Sequence, residues 1–349
     1  MAAAVKGTAM ERNPVNKMKS ILKVAGGLLA LVLLGPLLVG LAMKGISADI
    51  PAPGRLVDVG GHKLHMHCSG KSSGLPPVLI EAGLGVSSSY YHWLQVGLER
   101  TTRVCTYDRA GLGWSEESGR PRELGDVVAQ LHTLLDATGF ERPFVFAGHS
   151  VGALIAREYV ARYPEEVAGL AFLDGSHPDQ TRVMGLEKFD IKTEAEKGLR
   201  MYRFLVRSGL SRLYDPMLAP VKSAFPAEIF AQLRYTNDGP YFGAALAEYE
   251  GLVPYSNRPR PNDDFGDRPT VVIQAGTLDQ AALADSVDAA KIAAGWPKLQ
   301  KDTAALSTRA RYVVVDHATH TSLVHDEAFA NETVGLIREV LSEIRPRAR

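Results

Sequence analysis

Gly148-His149-Ser150-Val151-Gly152 is the stretch whose residue types could do covalent chemistry. It fits G-x-S-x-G, a pattern that holds a serine hydroxyl on a sharp strand-to-helix turn. The turn is strained, and small flanking residues are needed to avoid clashes with the neighbouring strand and helix. The hydroxyl then sits at a helix N-terminus, where backbone N–H groups favour developing negative charge. A serine hydroxyl is a poor nucleophile at neutral pH and needs a base. His317, His320 and His325 follow the apolar run Ala310–Val315 and are the candidates. A carboxylate must orient that base and stabilise its charged form. Asp174 and Asp279 follow apolar runs, and Asp285 lies in a helical stretch. Either of the first two could also cap a turn at a strand end. His317 and His320 form an H-x-x-H pair, but no H-E-x-x-H and no clear third ligand accompany it.

The elements around these residues give the pattern its weight. Phe144–Ala147 reads as a strand leading into the serine turn, and Val151–Arg162 as the helix leaving it. Upstream, Arg55–Val59 and His62–Cys68 flank Gly60-Gly61, a two-residue hairpin signal. Pro77–Glu81, Arg103–Tyr107, Val167–Leu173, Thr270–Gln274 and Ala310–Val315 are further strand candidates. Leu124–Thr138 carries Val127, Val128, Leu131, Leu134 and Leu135 at helical spacing, and Glu327–Ile344 closes the chain as a helix. Strands alternating with helices imply a mostly parallel sheet with helices on both faces, so the fold class is α/β. The rhythm breaks over about 178–268, which reads as an inserted helical cap. That insert holds 12 of the 23 Phe and Tyr residues, which would serve either an apolar pocket or the insert's own packing.

Composition excludes several classes. Lys plus Arg and Asp plus Glu number 39 each, a balance without the basic excess that nucleic-acid binding requires. An apolar fraction of 46% with 22% charged residues belongs to a packed chain rather than a disordered one. Two cysteines, Cys68 and Cys105, provide neither a disulfide framework nor a four-cysteine zinc site. His62, His65 and His67 look like a ligand cluster, yet on a strand only His65 and His67 share a face.

With GHSVG, LIEAGLG (Leu79–Gly85), YDRAGLGWS (Tyr107–Ser115) and this element order, the chain from about Gly54 to Ile344 resembles the α/β-hydrolase superfamily of cap-containing serine hydrolases. The resemblance implies a Ser, acid, His order along the chain. It favours His320 as base, with His317 second and His325 structural, although Thr319 stands where glycine is usual before the histidine. It places the acid at Asp279, with Asp174 as the alternative. It implies backbone N–H donors for the oxyanion at Val151 and Leu84, although Ala82-Gly83 stands where many relatives have His-Gly. Asp108 and Arg109 read as braces of the neighbouring loop, and Trp114 as a pocket wall or a packing residue. The cysteines fall on strands that this fold makes neighbours. A disulfide is conceivable outside the cytoplasm, and two buried free thiols are the favoured expectation.

Residues 24–43 are twenty consecutive uncharged positions, roughly 30 Å of helix, preceded by Arg12, Lys17, Lys19 and Lys23. We expect an uncleaved signal anchor, with 1–23 cytoplasmic and the hydrolase domain of 50–349 across the membrane; a cleaved signal peptide is the alternative. The leading expectation is a membrane-anchored serine esterase that needs no metal or organic cofactor, acting on small-molecule or lipid-like apolar esters. Ser150 argues against the aspartate-nucleophile relatives, the epoxide hydrolases and dehalogenases. An aminopeptidase would need cap carboxylates such as Glu228, Glu248 or Glu250 to hold an amine. An acyltransferase and a non-catalytic membrane-tethered binding protein complete the alternatives.

Overall fold

The computed structural model describes residues 14–46, 50–119, 122–186, 191–237, 241–252, 263–278 and 288–344. The strands are β1 (Arg55–Asp58), β2 (Lys63–Ser69), β3 (Val78–Glu81), β4 (Val104–Tyr107), β5 (Phe144–His149), β6 (Val167–Leu173), β7 (Thr270–Ala275) and β8 (Ala310–Val315). The helices are α1 (Pro14–Ile46), α2 (His92–Leu98), α3 (Leu124–Thr138), α4 (Gly152–Arg162), α5 (Gln180–Val183), α6 (Ile191–Arg207), α7 (Ala227–Thr236), α8 (Tyr241–Leu252), α9 (Ala289–Ala304), α10 (Ser322–His325) and α11 (Glu327–Glu343). The chain divides into two compact units, one holding α1 and Tyr202–Pro216, the other holding the sheet.

The sheet runs in the order β1-β2-β4-β3-β5-β6-β7-β8. Antiparallel pairing is confined to β1–β2 and β2–β4, and every pair from β4 to β8 is parallel. The Gly60-Gly61 signal does its work at this antiparallel edge, where both glycines take positive φ. Side-chain alternation divides the buried strand residues between two cores. Leu79, Cys105, Phe144, Phe146, Leu170 and Phe172 face α3 and α4. Val78, Ile80, Val145, Ala147, Leu173 and Ile273 face α2 and α11. Each large apolar side chain buried this way contributes roughly 1.5–3 kcal/mol. The helices end where their sequences dictate. Gly139 closes α3 in the left-handed region, and the Asp326 carboxylate caps α11 by accepting from the Ala328 and Phe329 N–H groups.

One expectation is corrected here. Cys68 and Cys105 are joined by a disulfide rather than free. The physical reason is register: β2 runs antiparallel to β4 and sets Cys68 directly opposite Cys105, with Cα atoms 4.1 Å apart. Between β6 and β7 the chain forms α5 to α8, the stretch expected to be a helical insert.

Candidate active site

The serine turn forms between β5 and α4. Ser150 has φ +54°, a left-handed conformation that costs a non-glycine residue about 1–2 kcal/mol. Its neighbours have to be glycine. A Cβ on Gly148 would lie 2.7 Å from the Gly152 carbonyl oxygen, and one on Gly152 would lie 2.7 Å from that of Glu81. The Ser150 N–H donates to the Leu173 carbonyl at 3.2 Å, and the Ser176 N–H donates to the Ser150 carbonyl at 2.8 Å. The turn is thereby tied to the segment that follows β6.

That segment carries Asp174, itself at φ +45°. His320, after β8, donates from Nδ1 to Asp174 Oδ2 at 2.6 Å. With Nδ1 engaged on a carboxylate, the basic lone pair of the imidazole lies on Nε2, the arrangement a general base needs. The other Asp174 oxygen accepts from the Trp296 indole N–H at 2.7 Å and the Ala275 N–H at 3.0 Å. Burial alone would push this carboxyl up. The bond and charge of His320, then the Trp296 and Ala275 donors, outweigh burial and hold it below its ordinary value. Asp174 is 4% exposed and His320 39%, so the anchor is buried while the imidazole faces outward. Asp279, the first expectation for the acid, and Asp285 lie outside the described residues. The carboxylate that meets His320 is the alternative, Asp174. His317 is exposed with φ +64°, and His325 Nδ1 donates to the carbonyl of Thr321, the residue that precedes α10.

The EAGLG loop lies against the serine turn: a Cβ on Gly83 would be 3.3 Å from the Ser150 Cβ. The Gly83 N–H donates to the Tyr91 hydroxyl at 2.6 Å, and the Gly85 N–H donates to Glu248 Oε2 at 3.0 Å. Between these tied groups the Leu84 N–H finds no acceptor among the described residues, and neither does the Val151 N–H at the head of α4. Two unengaged backbone donors beside a serine are what an oxyanion requires.

His149 links the two sides of this site. Its Nε2 lies 2.9 Å from the His320 carbonyl oxygen, which can only accept, so Nε2 carries the proton. Nδ1 must then accept, and the Tyr91 hydroxyl donates to it at 2.9 Å. A continuous chain runs from the Gly83 N–H through Tyr91 and His149 to the backbone of His320. Burial, reinforced by the charge of His320, pushes the His149 imidazole down to about 3, so it stays neutral.

Arg109 braces the same loop from below. Its guanidinium donates to Glu81 Oε1 at 2.6 Å, to Glu248 Oε1 and Oε2 at 2.6 and 2.8 Å, and to the Ala82 and Gly83 carbonyls at 2.9 and 2.7 Å. Asp108 accepts from the Ser88 and Trp114 N–H groups and pairs with buried His65 at 2.8 Å. Trp114 donates its indole N–H to the Ile50 carbonyl and stacks on Tyr235. Sequence reasoning missed Trp296, Tyr91 and the linking role of His149. Of these only His149, inside the G-x-S-x-G pattern, carried a local signal. Among the described residues no group of three His, Cys, Asp or Glu side chains is arranged to hold a metal ion.

Residues 76–209 match the α/β hydrolase fold family. A protein of Gibberella zeae described as an AB hydrolase superfamily protein is 31% identical over 186 residues, which are 51% of this chain and 54% of that one. The chain spans between 54% and 64% of the length of the first curated relatives it matches. Among solved structures, an epoxide hydrolase of Bacillus megaterium superposes with TM-score 0.60 at 16% identity, covering 82% of this chain and all of that one. A thermophilic esterase of Thermogutta terrifontis superposes with TM-score 0.56 at 18% identity, covering 81% and 94% of the two chains. Element order and these likenesses agree: the chain has the α/β-hydrolase fold, and its residues 76–209 match the family of that name.

Proposed function

We propose that this chain is a serine hydrolase that cleaves carboxylic esters through an acyl-enzyme, with Ser150 as nucleophile, His320 as base and Asp174 as acid. The observation that carries this reading is the His320–Asp174 bond beside a serine held at positive φ. Ser150 Oγ attacks the ester carbonyl and its proton passes to His320 Nε2. The oxyanion takes the N–H groups of Leu84 and Val151, each worth roughly 3 kcal/mol of barrier. His320 returns the proton to the leaving alcohol, and water then releases the acyl group by the same route. The aminopeptidase reading loses one of its three candidate cap carboxylates, because both oxygens of Glu248 are engaged by Arg109.

We place the domain outside the cytoplasm, tethered by α1. Ile21–Met43 is the helix among the described residues that is long and apolar enough to cross a membrane. Lysines 17, 19 and 23 precede or begin it, which orients its N-terminus toward the cytoplasm. The Cys68–Cys105 disulfide fits an oxidising compartment. Signal-sequence cleavage is the competing reading, and the intact mass of the mature protein separates the two. The aromatic-rich insert favours apolar esters, and a nitrophenyl-ester series in which polar acyl groups react fastest would contradict that.

A tagged fluorophosphonate should label the wild type on Ser150 and leave Ser150→Ala unlabelled, with kcat for esters falling about 10⁴- to 10⁶-fold. Absence of labelling in folded wild type would contradict an activated serine.

A further inference from the structure

The unit formed by α1 and Tyr202–Pro216 holds a contact that the reaction does not explain. The described side chains along α1 are almost all exposed, Leu28, Leu31, Val32 and Leu38 among them. Gly40 is the buried exception. It meets Gly209 backbone to backbone. A Cβ on Gly40 would lie 2.5 Å from the Gly209 carbonyl oxygen, and one on Gly209 would overlap the Gly40 carbonyl. Gly209 is also at φ +75°, at the head of the turn Leu210–Arg212, so glycine is required there twice over. Paired glycines let two backbones approach in this way where no larger residue would fit.

The position of the contact along α1 matters. Gly40 lies three residues before the end of the apolar span Ile21–Met43, about 5 Å along the axis at 1.5 Å per residue. A bilayer that contains the span has its far boundary at this level. Tyr202–Pro216 is therefore held at the membrane surface rather than above it. The segment has the composition of such a boundary. Phe204, Leu213 and Tyr214 are 59%, 48% and 67% exposed, and exposed Arg203 and Arg207 lie one helical turn apart on α6. The segment is closed on itself by the Tyr202 hydroxyl, which donates to Asp215 at 2.6 Å, so its outward apolar side chains are presented by a fixed loop.

We propose that Tyr202–Pro216 is a membrane-contacting segment. Seated on the anchor through Gly40 and Gly209, it inserts Phe204, Leu213 and Tyr214 into the outer interface of the same bilayer, with Arg203 and Arg207 at the lipid phosphates. The proposal rests on the membrane-anchor reading of α1 and gives it a second point of attachment.

The test uses the full chain in phosphatidylcholine nanodiscs. Tyr214→Cys and Val32→Cys are each labelled with an environment-sensitive maleimide fluorophore; the native cysteines are held in their disulfide, and unlabelled wild type checks this. The expected result is a blue-shifted probe at 214, quenched by lipids spin-labelled near the headgroup and protected from aqueous iodide, and a probe at 32 quenched by deeply placed spin labels. Adding Gly40→Leu should return the 214 probe to iodide while leaving the 32 probe unchanged. A probe at 214 open to iodide while 32 is quenched by lipid overturns the proposal and leaves the anchor standing. Neither probe reached by lipid labels overturns the anchor reading, and the proposal with it. Unchanged lipid quenching at 214 in Gly40→Leu overturns the glycine seat.

Discussion

Two charged clusters are linked from the EAGLG loop through Tyr91 and His149, and they are built in opposite ways. In one, Arg109 lies between Glu81 and Glu248, with side chains 0–3% exposed and every guanidinium nitrogen engaged. In the other, Asp174 is saturated by His320, Trp296 and Ala275, yet the imidazole it holds is 39% exposed and its second nitrogen is unclaimed by the acid. The first is a brace that fixes where Leu84 points its N–H. The second holds a half-exposed imidazole on a fixed stem, the group we propose to carry the proton. The contrast separates positioning from chemistry: charge neutralised on all sides gives rigidity, and charge left with one open partner gives reactivity. It predicts that damage to the brace shows first in stability, and damage to the carrier shows first in rate.

Breaking the brace should have the largest thermodynamic effect. Arg109→Met leaves buried Glu81 without a cation and Glu248 with only Arg122, 4.0 Å away, and should cost about 3–5 kcal/mol of unfolding free energy. Urea titration of the protein in detergent checks it, and a loss below about 1 kcal/mol would mean that the brace is not structural.

The link between the clusters should show as pH dependence. His149 is held down to about 3 by burial and then by His320, against about 6.5 in the unfolded chain. Above pH 6.5 both states are neutral and the group has no effect. Between 6.5 and 3 the unfolded state takes up a proton that the folded state refuses, so stability falls with falling pH by up to about 1.4 kcal/mol per unit. His149→Gln, which keeps one donor and one acceptor, should flatten that slope between pH 6.5 and 5. Equal slopes for the two proteins would contradict a neutral buried His149.

Trp296→Phe sharpens the comparison from the carrier side. It removes one donor from Asp174 and keeps the ring. We expect kcat/KM to fall roughly 10- to 100-fold, in line with about 1.5–3 kcal/mol for a hydrogen bond to a charged group. Asp174 contributes stability above its unfolded value that is lost as pH falls through its lower folded one. Without the indole the folded carboxyl rises toward its unfolded value, so in Trp296→Phe the acid-dependent loss is smaller and is complete at a higher pH, while its onset stays at the unfolded value. Unfolding curves between pH 3 and 5 give the direction.

Much of this was legible in the sequence, and what was not has a common cause. The serine turn, the Gly60-Gly61 hairpin and the amphipathic α3 are written in neighbouring residues. Which carboxylate meets His320 was not, because Asp174 and Asp279 both follow strands and local pattern does not say which loop reaches the imidazole. Trp296 meets Asp174 across 122 residues and Glu248 meets Arg109 across 139, contacts that only the assembled sheet creates. The disulfide stands between: the family resemblance sets β2 beside β4, but only the register that brings Cys68 opposite Cys105 decides against free thiols.

The central claim is that Asp174 anchors His320 for attack by Ser150. The direct measurement is kcat/KM for an activated ester, with the fluorophosphonate labelling rate, in wild type, Asp174→Asn and Asp279→Asn, each shown to be folded by circular dichroism. An asparagine at the triad acid favours the wrong imidazole tautomer, so Asp174→Asn should lose about 10⁴-fold in both rates, while Asp279→Asn stays within a few-fold of wild type. Near-normal rates in Asp174→Asn with the large loss in Asp279→Asn would contradict the account and move the acid to the loop after β7.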